Sequence, residues 1–271
     1  MWSHVIFEHP ATFDTLAMDP GKKQEIIDDL INFTKSKDYY AKIGRAWKRG
    51  YLLYGPPGTG KSTMIAAMAN LLKYDVYDLE LTAVTDNTQL RKLLVDTASK
   101  SIVVIEDIDC SLDLTGGGRR KRTRRKRKMV RRNMKRWMRI IVFTTNYVEK
   151  LDPALIRRGR MDKHIELFYC GFEAFKVLAK NYLDIDSHEL FATVRKQLEE
   201  TKMTPADVAE NVMPKLGSDD EGTCLRRLMK ALEEAKEEER QKAKEEEKEE
   251  EEEERKRKET ENGGDDASIR K

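Results

Sequence analysis

The chain has 271 residues, and its 52 Lys/Arg and 49 Asp/Glu leave a net charge of only +3 although 37% of the residues are charged. The charges are concentrated in two places, because residues 119–139 hold fourteen Lys/Arg and no acid, whereas residues 233–259 hold fifteen Glu against nine Lys/Arg. One short run therefore produces the basic balance, which argues against a uniformly basic nucleic-acid binder. Hydrophobic residues make up 39% of the chain, enough for a core, so disorder throughout is excluded.

The three cysteines, Cys110, Cys170 and Cys224, are widely spaced and form no CxxC pair. Neither a disulfide framework nor a zinc site is expected, and a reducing compartment fits best. The sequence has no apolar run approaching the length of about 18 residues that a membrane span needs. Its first residues also lack the basic-then-apolar layout of a signal peptide. As written, the chain is expected to be soluble.

The first two thirds of the chain alternate apolar, β-branched runs with amphipathic segments, which is typical of a parallel sheet with crossover helices. In chain order the pattern predicts a helix at Gly21–Phe33, a strand at Gly50–Tyr54, a helix at Lys61–Leu72, a strand at Val76–Glu80, a helix at Asn87–Ser99, and strands at Ser101–Glu106 and Ile140–Thr144. Because these strands are nearly continuous apolar runs, helices are expected on both faces, as in a doubly wound α/β fold.

The remaining third of the chain is predicted to be helical. Helices are expected at Gly171–Tyr182, Ser187–Glu200, Thr204–Val212 and Thr223–Glu234, the third of them begun by a capping box at Thr204 and a proline at its first position. The sequence thus predicts an α/β core over residues 1–167, a small all-helical domain over 168–235 and a charged tail over 236–271. The tail has almost no apolar stripe, so it is either an isolated solvated helix or disordered.

Residues 55–62 read GPPGTGKS and match the phosphate-binding pattern GxxxxGK[ST] in full, between a predicted strand and a predicted helix. The glycines allow a nest of N–H groups to face phosphate oxygens; Lys61 would reach the β- and γ-phosphates, and Ser62 would ligate Mg²⁺. Thr63 competes with Ser62 for the hydroxyl role, although Ser62 is the residue that matches the motif. The predicted nucleotide-binding residues are Gly55, Pro56, Pro57, Gly58, Thr59, Gly60, Lys61, Ser62 and Thr63.

A second motif follows the predicted strand at residues 101–106, where the sequence SIVVIEDID ends an apolar run in acids. A Walker-B strand delivers one carboxylate to the Mg²⁺ shell and another to the attacking water, at the carboxyl end of the sheet. The usual order in such ATPases is Asp then Glu, whereas this chain has Glu106 and then Asp107. We therefore expect Ser62 and Glu106 to support the metal and Asp107 to polarise the water.

Downstream, residues 140–146 read IIVFTTN and residues 151–162 read LDPALIRRGRMD. The segments GPPGTGKS, VIEDID, FTTN and LDPALIRRGRMD, in this order, resemble the ATPase core of the AAA family. The EDID order and the segments YDVYDLELT and SLDLTGG resemble the plant AAA-ATPases called ASD mitochondrial-like, a group related to the mitochondrial ATPase that assembles the cytochrome bc complex. The resemblance extends from His4 to about Leu232, apart from residues 118–139 and the acidic tail.

This resemblance implies a P-loop NTPase parallel sheet flanked by helices and followed by a helical AAA lid domain. It also implies an ATPase that uses ATP and Mg²⁺, works in a hexamer-like or heptamer-like homo-oligomeric ring and remodels or translocates a protein partner. By resemblance, Asn146 helps to orient the lytic water, and Arg157 and Arg160 match arginine fingers that reach a neighbouring subunit's nucleotide. Residues 14–18 and 205–207 match segments that flank the adenine.

The sequence departs from the family at residues 82–87, where unfoldases carry an aromatic-hydrophobic-Gly element that grips an extended polypeptide. Here the residues are TAVTDN, with no aromatic residue and no glycine. Peptide threading is therefore less expected than movement of folded or partly folded substrates.

Another departure is the basic run at residues 118–139, which stands where relatives have an acidic or mixed insert and an apolar helix. It is an exposed loop that contacts phosphates of nucleic acid or lipid, or a solvated loop paired loosely with the acidic tail, or an acidic insert read one base out of frame. Two alternative functions remain open as a result. They are an ATP-binding scaffold with impaired turnover and a nucleic-acid-stimulated ATPase, although nucleic acid is not the favoured partner.

Family relatives carry a membrane-spanning helix and a further domain before the ATPase core, whereas this chain opens near the core's entry segment. The sequence is thus interpreted as a fragment or a truncated form, and membrane association through the missing N-terminal region stays open. The resemblance suggests a protein associated with a mitochondrial or endoplasmic reticulum membrane.

Overall fold

The computed structural model describes residues 9–80, 92–93, 96–109, 138–153, 156, 159–215, 217 and 219–262. The first part holds helices α1 (Pro20–Lys35), α2 (Lys37–Lys42) and α3 (Lys61–Leu72) and strands β1 (Lys48–Tyr54), β2 (Asp75–Asp78), β3 (Ser101–Ile105), β4 (Arg139–Thr145) and β5 (Lys163–Glu166). The second part holds helices α4 (Phe172–Leu183), α5 (Phe191–Glu200), α6 (Pro205–Val212) and α7 (Glu221–Asn262).

The described strands form one parallel sheet in the order β2-β3-β4-β1-β5. Strand β4 lies between β1 and β3, so that Phe143 is level with both Leu52 and Ile105. Because the strands are parallel, the segments that follow β1, β3 and β4 all emerge at the carboxyl edge of the sheet. This topology brings together the phosphate-loop motif after β1, the acids after β3 and Asn146 after β4.

Both faces of the sheet are buried, as the apolar strands predicted. One face, which includes Tyr51, Leu53 and Ile102, packs against α1 and α3. The other face, which includes Leu52 and Val103, packs against residues of the loops that follow β3 and β4. The parallel α/β fold predicted from the sequence is confirmed.

Helices α4 to α7 pack around a separate apolar cluster that includes Phe175, Val194 and Leu228. The capping box predicted at Thr204 is present, since its side chain accepts the N–H of Asp207 and the Asp207 carboxylate accepts the N–H of Thr204. Helix α7 continues through the charged tail as far as Asn262. Of the two alternatives for the tail, a helix or a disordered segment, the structure has a helix up to that residue. Among the described helices, none is both long and apolar enough to cross a bilayer.

Several boundaries differ from those that the sequence predicts. Strand β5 was not predicted, because it is a short edge strand in which Ile165 is the buried residue. Helix α5 begins at Phe191 rather than at Ser187, because residues before it form a turn in which His188 accepts the N–H of Leu190 on Nδ1 and that of Phe191 on its carbonyl. Most of the helix predicted at Asn87–Ser99, the segment 82–87, Cys110 and the basic run up to residue 137 lie outside the described residues.

Candidate functional site at the carboxyl edge of the sheet

The phosphate-loop motif lies between β1 and α3 and has the backbone that its glycines allow. Gly55, Gly58 and Gly60 have φ values of 136°, 77° and 90°, in the left-handed half of φ space that other residues rarely adopt. Gly60 is the N-cap of α3, and Lys61 is the first residue of that helix. The loop therefore presents the N-terminus of a twelve-residue helix, where backbone N–H groups favour an anion.

Lys61 lies over the loop, and its Nζ donates to the carbonyls of Gly55 at 2.8 Å and Pro56 at 2.9 Å. Partial burial lowers the pKa of the Lys61 ammonium, and the nearby carboxylates of Asp107 and Asp109 oppose that shift. Thr59 is buried and donates its hydroxyl to the carbonyl of Pro56 at 2.8 Å, which closes the loop on itself. These contacts hold Lys61 beside the N-terminus of α3.

Ser62 and Glu106 meet at the edge of this loop although they are 44 residues apart, with Ser62 Oγ donating to Glu106 Oε1 at 3.5 Å. Desolvation raises the pKa of the Glu106 carboxyl, the negative charges of Asp78 and Asp107 raise it further, and the hydroxyl of Ser62 opposes the rise. A hydroxyl and a carboxylate that converge in this way are ligands of the kind that Mg²⁺ takes from a protein. Of the two hydroxyls weighed from the sequence, that of Ser62 is the one that contacts the acidic residue.

Asp107 follows Glu106 with a φ of 46°, a left-handed conformation for a residue other than glycine. Its N–H donates to the Thr144 hydroxyl at 3.1 Å, and the next N–H, that of Ile108, donates to the Thr144 carbonyl at 3.1 Å. The turn after β3 is thereby attached to the end of β4. This attachment places the Asp107 charge near Lys61.

Asn146 directly follows β4 and lines the same cavity as the phosphate loop. Its Oδ1 is buried and has no hydrogen-bond partner within the described part of the structure. A buried amide oxygen without a partner is uncommon in native proteins and marks a place where a ligand or water is expected to bind. The structure therefore places Asn146 beside the phosphate loop.

A cavity of about 780 Å³ extends from the phosphate loop to the lid helices. Its volume lies within the range of about 300–1,000 Å³ typical of small-molecule sites. The lining residues away from the loop come from the entry segment and the lid, and include Thr15, Leu16, Ala17, Tyr182, Pro205 and Ala206. All of these except Tyr182 are members of the two segments, 14–18 and 205–207, that by resemblance flank the adenine.

The lid is attached to the phosphate loop and to the entry segment by hydrogen bonds. Asn181 of α4 donates its Nδ2 to the carbonyl of Thr15 at 2.9 Å, while the N–H of Ala206 in α6 donates to the carbonyl of Gly58 at 3.1 Å. Sequence reasoning did not find Asn181, because a single polar residue on an amphipathic helix reads as a solvated position.

Arg160 lies at the opposite edge of the sheet, before β5 begins. Gly50, near the amino end of β1, has no room for a Cβ because the carbonyl oxygen of Arg160 fills that position. Three residues of β1 separate Gly50 from Tyr54, so the backbone of Arg160 is about 13 Å or more from the loop that follows Tyr54. The structure thus does not bring Arg160 to its own chain's phosphate loop, and Arg157 lies outside the described residues.

Together, a parallel sheet, a phosphate loop and a helical lid that closes over it define a P-loop nucleotide-binding protein. Comparison with known families is specific on this point. Residues 51–169 match the AAA family, described as the ATPase family associated with various cellular activities, and residues 170–257 match the At3g28540-like AAA+ ATPase lid domain. The chain belongs to the AAA ATPase family.

Curated relatives support the same assignment. AAA-ATPase At3g28540 of Arabidopsis thaliana is 59% identical over 269 residues, and the match covers 87% of this chain and 53% of that protein. AAA-ATPase ASD, mitochondrial, of the same plant is 59% identical over 271 residues with the same two coverages. The chain spans about half the length of these relatives, and the resemblance to plant AAA-ATPases drawn from the motifs is confirmed.

Proposed function

We propose that this chain is the ATPase core of a Mg²⁺-dependent enzyme that hydrolyses ATP to ADP and phosphate. The observation that carries the proposal is the 3.5 Å contact between Ser62 Oγ and Glu106 Oε1. It joins the last residue of the phosphate-loop motif to the first acid after β3, beside a cavity of nucleotide size. Membership of the AAA family supports the same activity.

The nucleotide phosphates would bind to Lys61 and to the backbone N–H groups of Gly58–Gly60 at the N-terminus of α3. Mg²⁺ would be held by Ser62 and Glu106, and it would supply charge neutralisation of the phosphates. In the described part of the chain no cluster of three or more His, Cys, Asp or Glu side chains could hold a metal by itself. This fits Mg²⁺ at a phosphate site, because that ion usually takes only one or two protein carboxylates and completes its shell with phosphates and water.

Asp107 would polarise the attacking water, and Asn146 would orient it. Support comes from their common position at the carboxyl edge and from the unpartnered Oδ1 of Asn146, which is free to accept a hydrogen bond from that water. Since no covalent intermediate is needed, these residues act by positioning and electrostatics.

Arg160 and Arg157 would act on the nucleotide of a neighbouring subunit in a ring. The place of Arg160 supports this, because a side chain at the amino edge of the sheet is too distant to serve its own phosphate loop. A homo-oligomer, hexamer-like or heptamer-like, would complete each site with an arginine that stabilises the charge of the transferring phosphoryl group.

We propose further that the cycle remodels or translocates a protein partner, and that folded or partly folded substrates are favoured over threaded chains because residues 82–87 offer no aromatic grip. A tagged, permanently unfolded protein presented to the ATPase should therefore not be translocated. ATP-dependent translocation of that probe would contradict this part of the proposal.

One relative has "mitochondrial" in its name, and we propose a mitochondrial or endoplasmic reticulum membrane-associated location, testable by imaging a tagged full-length protein.

The activity is tested by phosphate release from ATP in Mg²⁺ and in excess chelator, with subunit mass followed by light scattering. The wild-type chain should release phosphate when Mg²⁺ is present and not in excess chelator, and the activity should rise as oligomers form. Lys61→Ala should abolish both binding and release. Binding of ATP by the wild type without release or assembly would instead indicate a nucleotide-binding scaffold.

A further inference from the structure

Two threonines at the end of β4 are used by the turn that carries Asp107. Thr144 is 2% exposed and Thr145 is fully buried. The Thr144 hydroxyl accepts the N–H of Asp107 at 3.1 Å, and the Thr145 hydroxyl donates to Asp109 Oδ1 at 2.5 Å. Both hydroxyls therefore bind the segment after β3 rather than a group of their own strand.

Thr145 also contacts the segment after β4. The N–H of Tyr147 donates to the Thr145 hydroxyl at 3.0 Å, so this hydroxyl accepts from one side of Asn146 and donates to Asp109. A chain of two hydrogen bonds thus links the residue that follows Asn146 to the turn that holds Asp107. The backbone next to Asn146 and the turn that holds Asp107 are therefore joined through Thr145.

Asp107 needs such support because of its backbone. A left-handed φ of 46° is uncommon for a residue other than glycine, and such residues persist where the surroundings hold them. The Thr144 hydroxyl accepts the N–H of Asp107 itself, while the Thr144 carbonyl accepts the N–H of Ile108. Buried Ile108, 5% exposed, anchors the far side of the turn in the apolar cluster of Leu52 and Val103.

We propose that Thr144 and Thr145 are positioning residues for ATP hydrolysis, which hold Asp107 in its left-handed conformation and fix its carboxylate relative to the Asn146 amide. This proposal rests on the proposed function. Neither hydroxyl touches the nucleotide-binding loop through any hydrogen bond given by the described residues. Their loss should therefore act on the rate of the chemical step and leave ATP binding in place.

The test uses the isosteric changes Thr144→Val and Thr145→Val in the full chain, with ATP affinity, Tm, kcat and KM measured for each. Removing one hydroxyl should lower kcat by about ten-fold to a hundred-fold, the range expected when a reacting group is misplaced by up to about 1 Å. KM and the Kd for ATP should stay within about two-fold, since no binding group is removed. Thr144→Ser and Thr145→Ser keep the hydroxyl and should restore most of kcat.

Thr201 provides a matched control. It is a buried threonine in the lid, 5% exposed, and its Oγ1 has no hydrogen-bond partner in the described structure. Thr201→Val should leave kcat and KM unchanged. If valine at position 144 lowers Tm by disturbing the packing, Thr144→Ala removes the same hydroxyl with less volume, and the same loss of kcat with retained ATP affinity is expected.

The outcomes separate the two proposals. A wild-type chain that binds ATP but does not hydrolyse it would overturn both. Wild-type hydrolysis that Thr144→Val and Thr145→Val leave unchanged would overturn the positioning role alone. The positioning role would also be overturned if ATP affinity fell together with kcat and serine restored neither, because that pattern indicates a structural defect of the site.

Discussion

The N–H of Ala206 donates to the carbonyl of Gly58 at 3.1 Å, so that the first turn of lid helix α6 is bonded to the phosphate loop itself. Gly58 allows this approach because it has no side chain: a Cβ there would lie 2.9 Å from Thr204 Oγ1 and 3.3 Å from the Ala206 Cβ. The position of the lid and the conformation of the loop are thus coupled through one glycine.

The change Gly58→Ala should therefore weaken ATP binding. The added methyl group would push α6 away from the loop, and φ at this residue is 77°, which disfavours alanine. We expect the Kd for ATP to rise by about ten-fold or more, since a strained left-handed residue costs on the order of 1 kcal/mol or more before the lid contact is lost. Isothermal titration calorimetry would measure the change.

A suitable control for that variant is Gly217→Ala, because Gly217 has no atom within 4 Å of an added Cβ and no left-handed φ. It should leave the Kd unchanged. An unchanged Kd in Gly58→Ala as well would show that the lid contact does not contribute to nucleotide binding.

Gly50→Ala should destabilise the core. The carbonyl oxygen of Arg160 occupies the place of a Cβ at Gly50, and this close approach is kept by the N–H of Asp162, which donates to the Gly50 carbonyl at 2.8 Å, and by Asp162 Oδ2, which accepts the N–H of Gly50 at 3.0 Å. Overpacking of this kind costs about 1–3 kcal/mol. Urea unfolding followed by circular dichroism would measure it, and a free energy of unfolding equal to that of the wild type would contradict the packing described.

Glu106→Gln should raise the Tm at neutral pH when Mg²⁺ is absent. The pKa of Glu106 is raised in the folded chain, so the folded state is penalised by the ionised carboxyl at pH values above that raised pKa. This penalty disappears below the ordinary carboxyl pKa of about 4.3, where both states are protonated. The gain in Tm should therefore be present at pH 7 and should vanish as the pH falls below about 4.

Calorimetry in chelator across this pH range tests the expectation, and Glu189→Gln, a change at an exposed lid residue, serves as the control. A Glu106→Gln variant less stable than the wild type at pH 7 would mean that the carboxylate is stabilised rather than strained in the site.

Arg160→Ala should abolish turnover while ATP binding is retained, because the side chain is proposed to act on a neighbouring site. Loss of such an arginine lowers kcat by about 10³-fold or more in related phosphoryl-transfer systems. Mixing this variant with Lys61→Ala should restore part of the activity. In mixed rings an Arg160→Ala subunit keeps its nucleotide and receives the arginine of a Lys61→Ala neighbour. A mixture with no more activity than its components would contradict action between subunits.

The elements that carry strong local patterns could be predicted from the sequence. Helix α3 has the predicted bounds Lys61–Leu72, because Gly60 fixes its start and the left-handed Lys73 ends it. Strand β3 was predicted because all five of its residues are buried and form an apolar run. It ends at Ile105, one residue before the predicted end at Glu106. Helix α2 was not predicted, because none of its six residues is buried and the six residues give no periodic pattern.

The candidate site was predicted as a set of motifs, but its internal connections were not. Glycine and lysine in a fixed order report the phosphate loop, and an apolar run that ends in acids reports the strand that meets it. The bonds from Thr144 to Asp107 and from Thr145 to Asp109 depend on the register of β3 and β4, which the sequence does not give. Likewise, the place of Arg160 at the amino edge follows from β5, the strand that was not predicted.

Binding and single-turnover hydrolysis of γ-labelled ATP, measured for the wild type and for Asp107→Asn, would show whether one site both binds ATP and hydrolyses it. Both proteins should bind ATP with similar affinity, because Asp107 is proposed to act on the water rather than on the nucleotide. Only the wild type should release labelled phosphate, in a reaction that requires Mg²⁺. Equal rates of phosphate release from the two proteins would mean that Asp107 does not act in hydrolysis at this site.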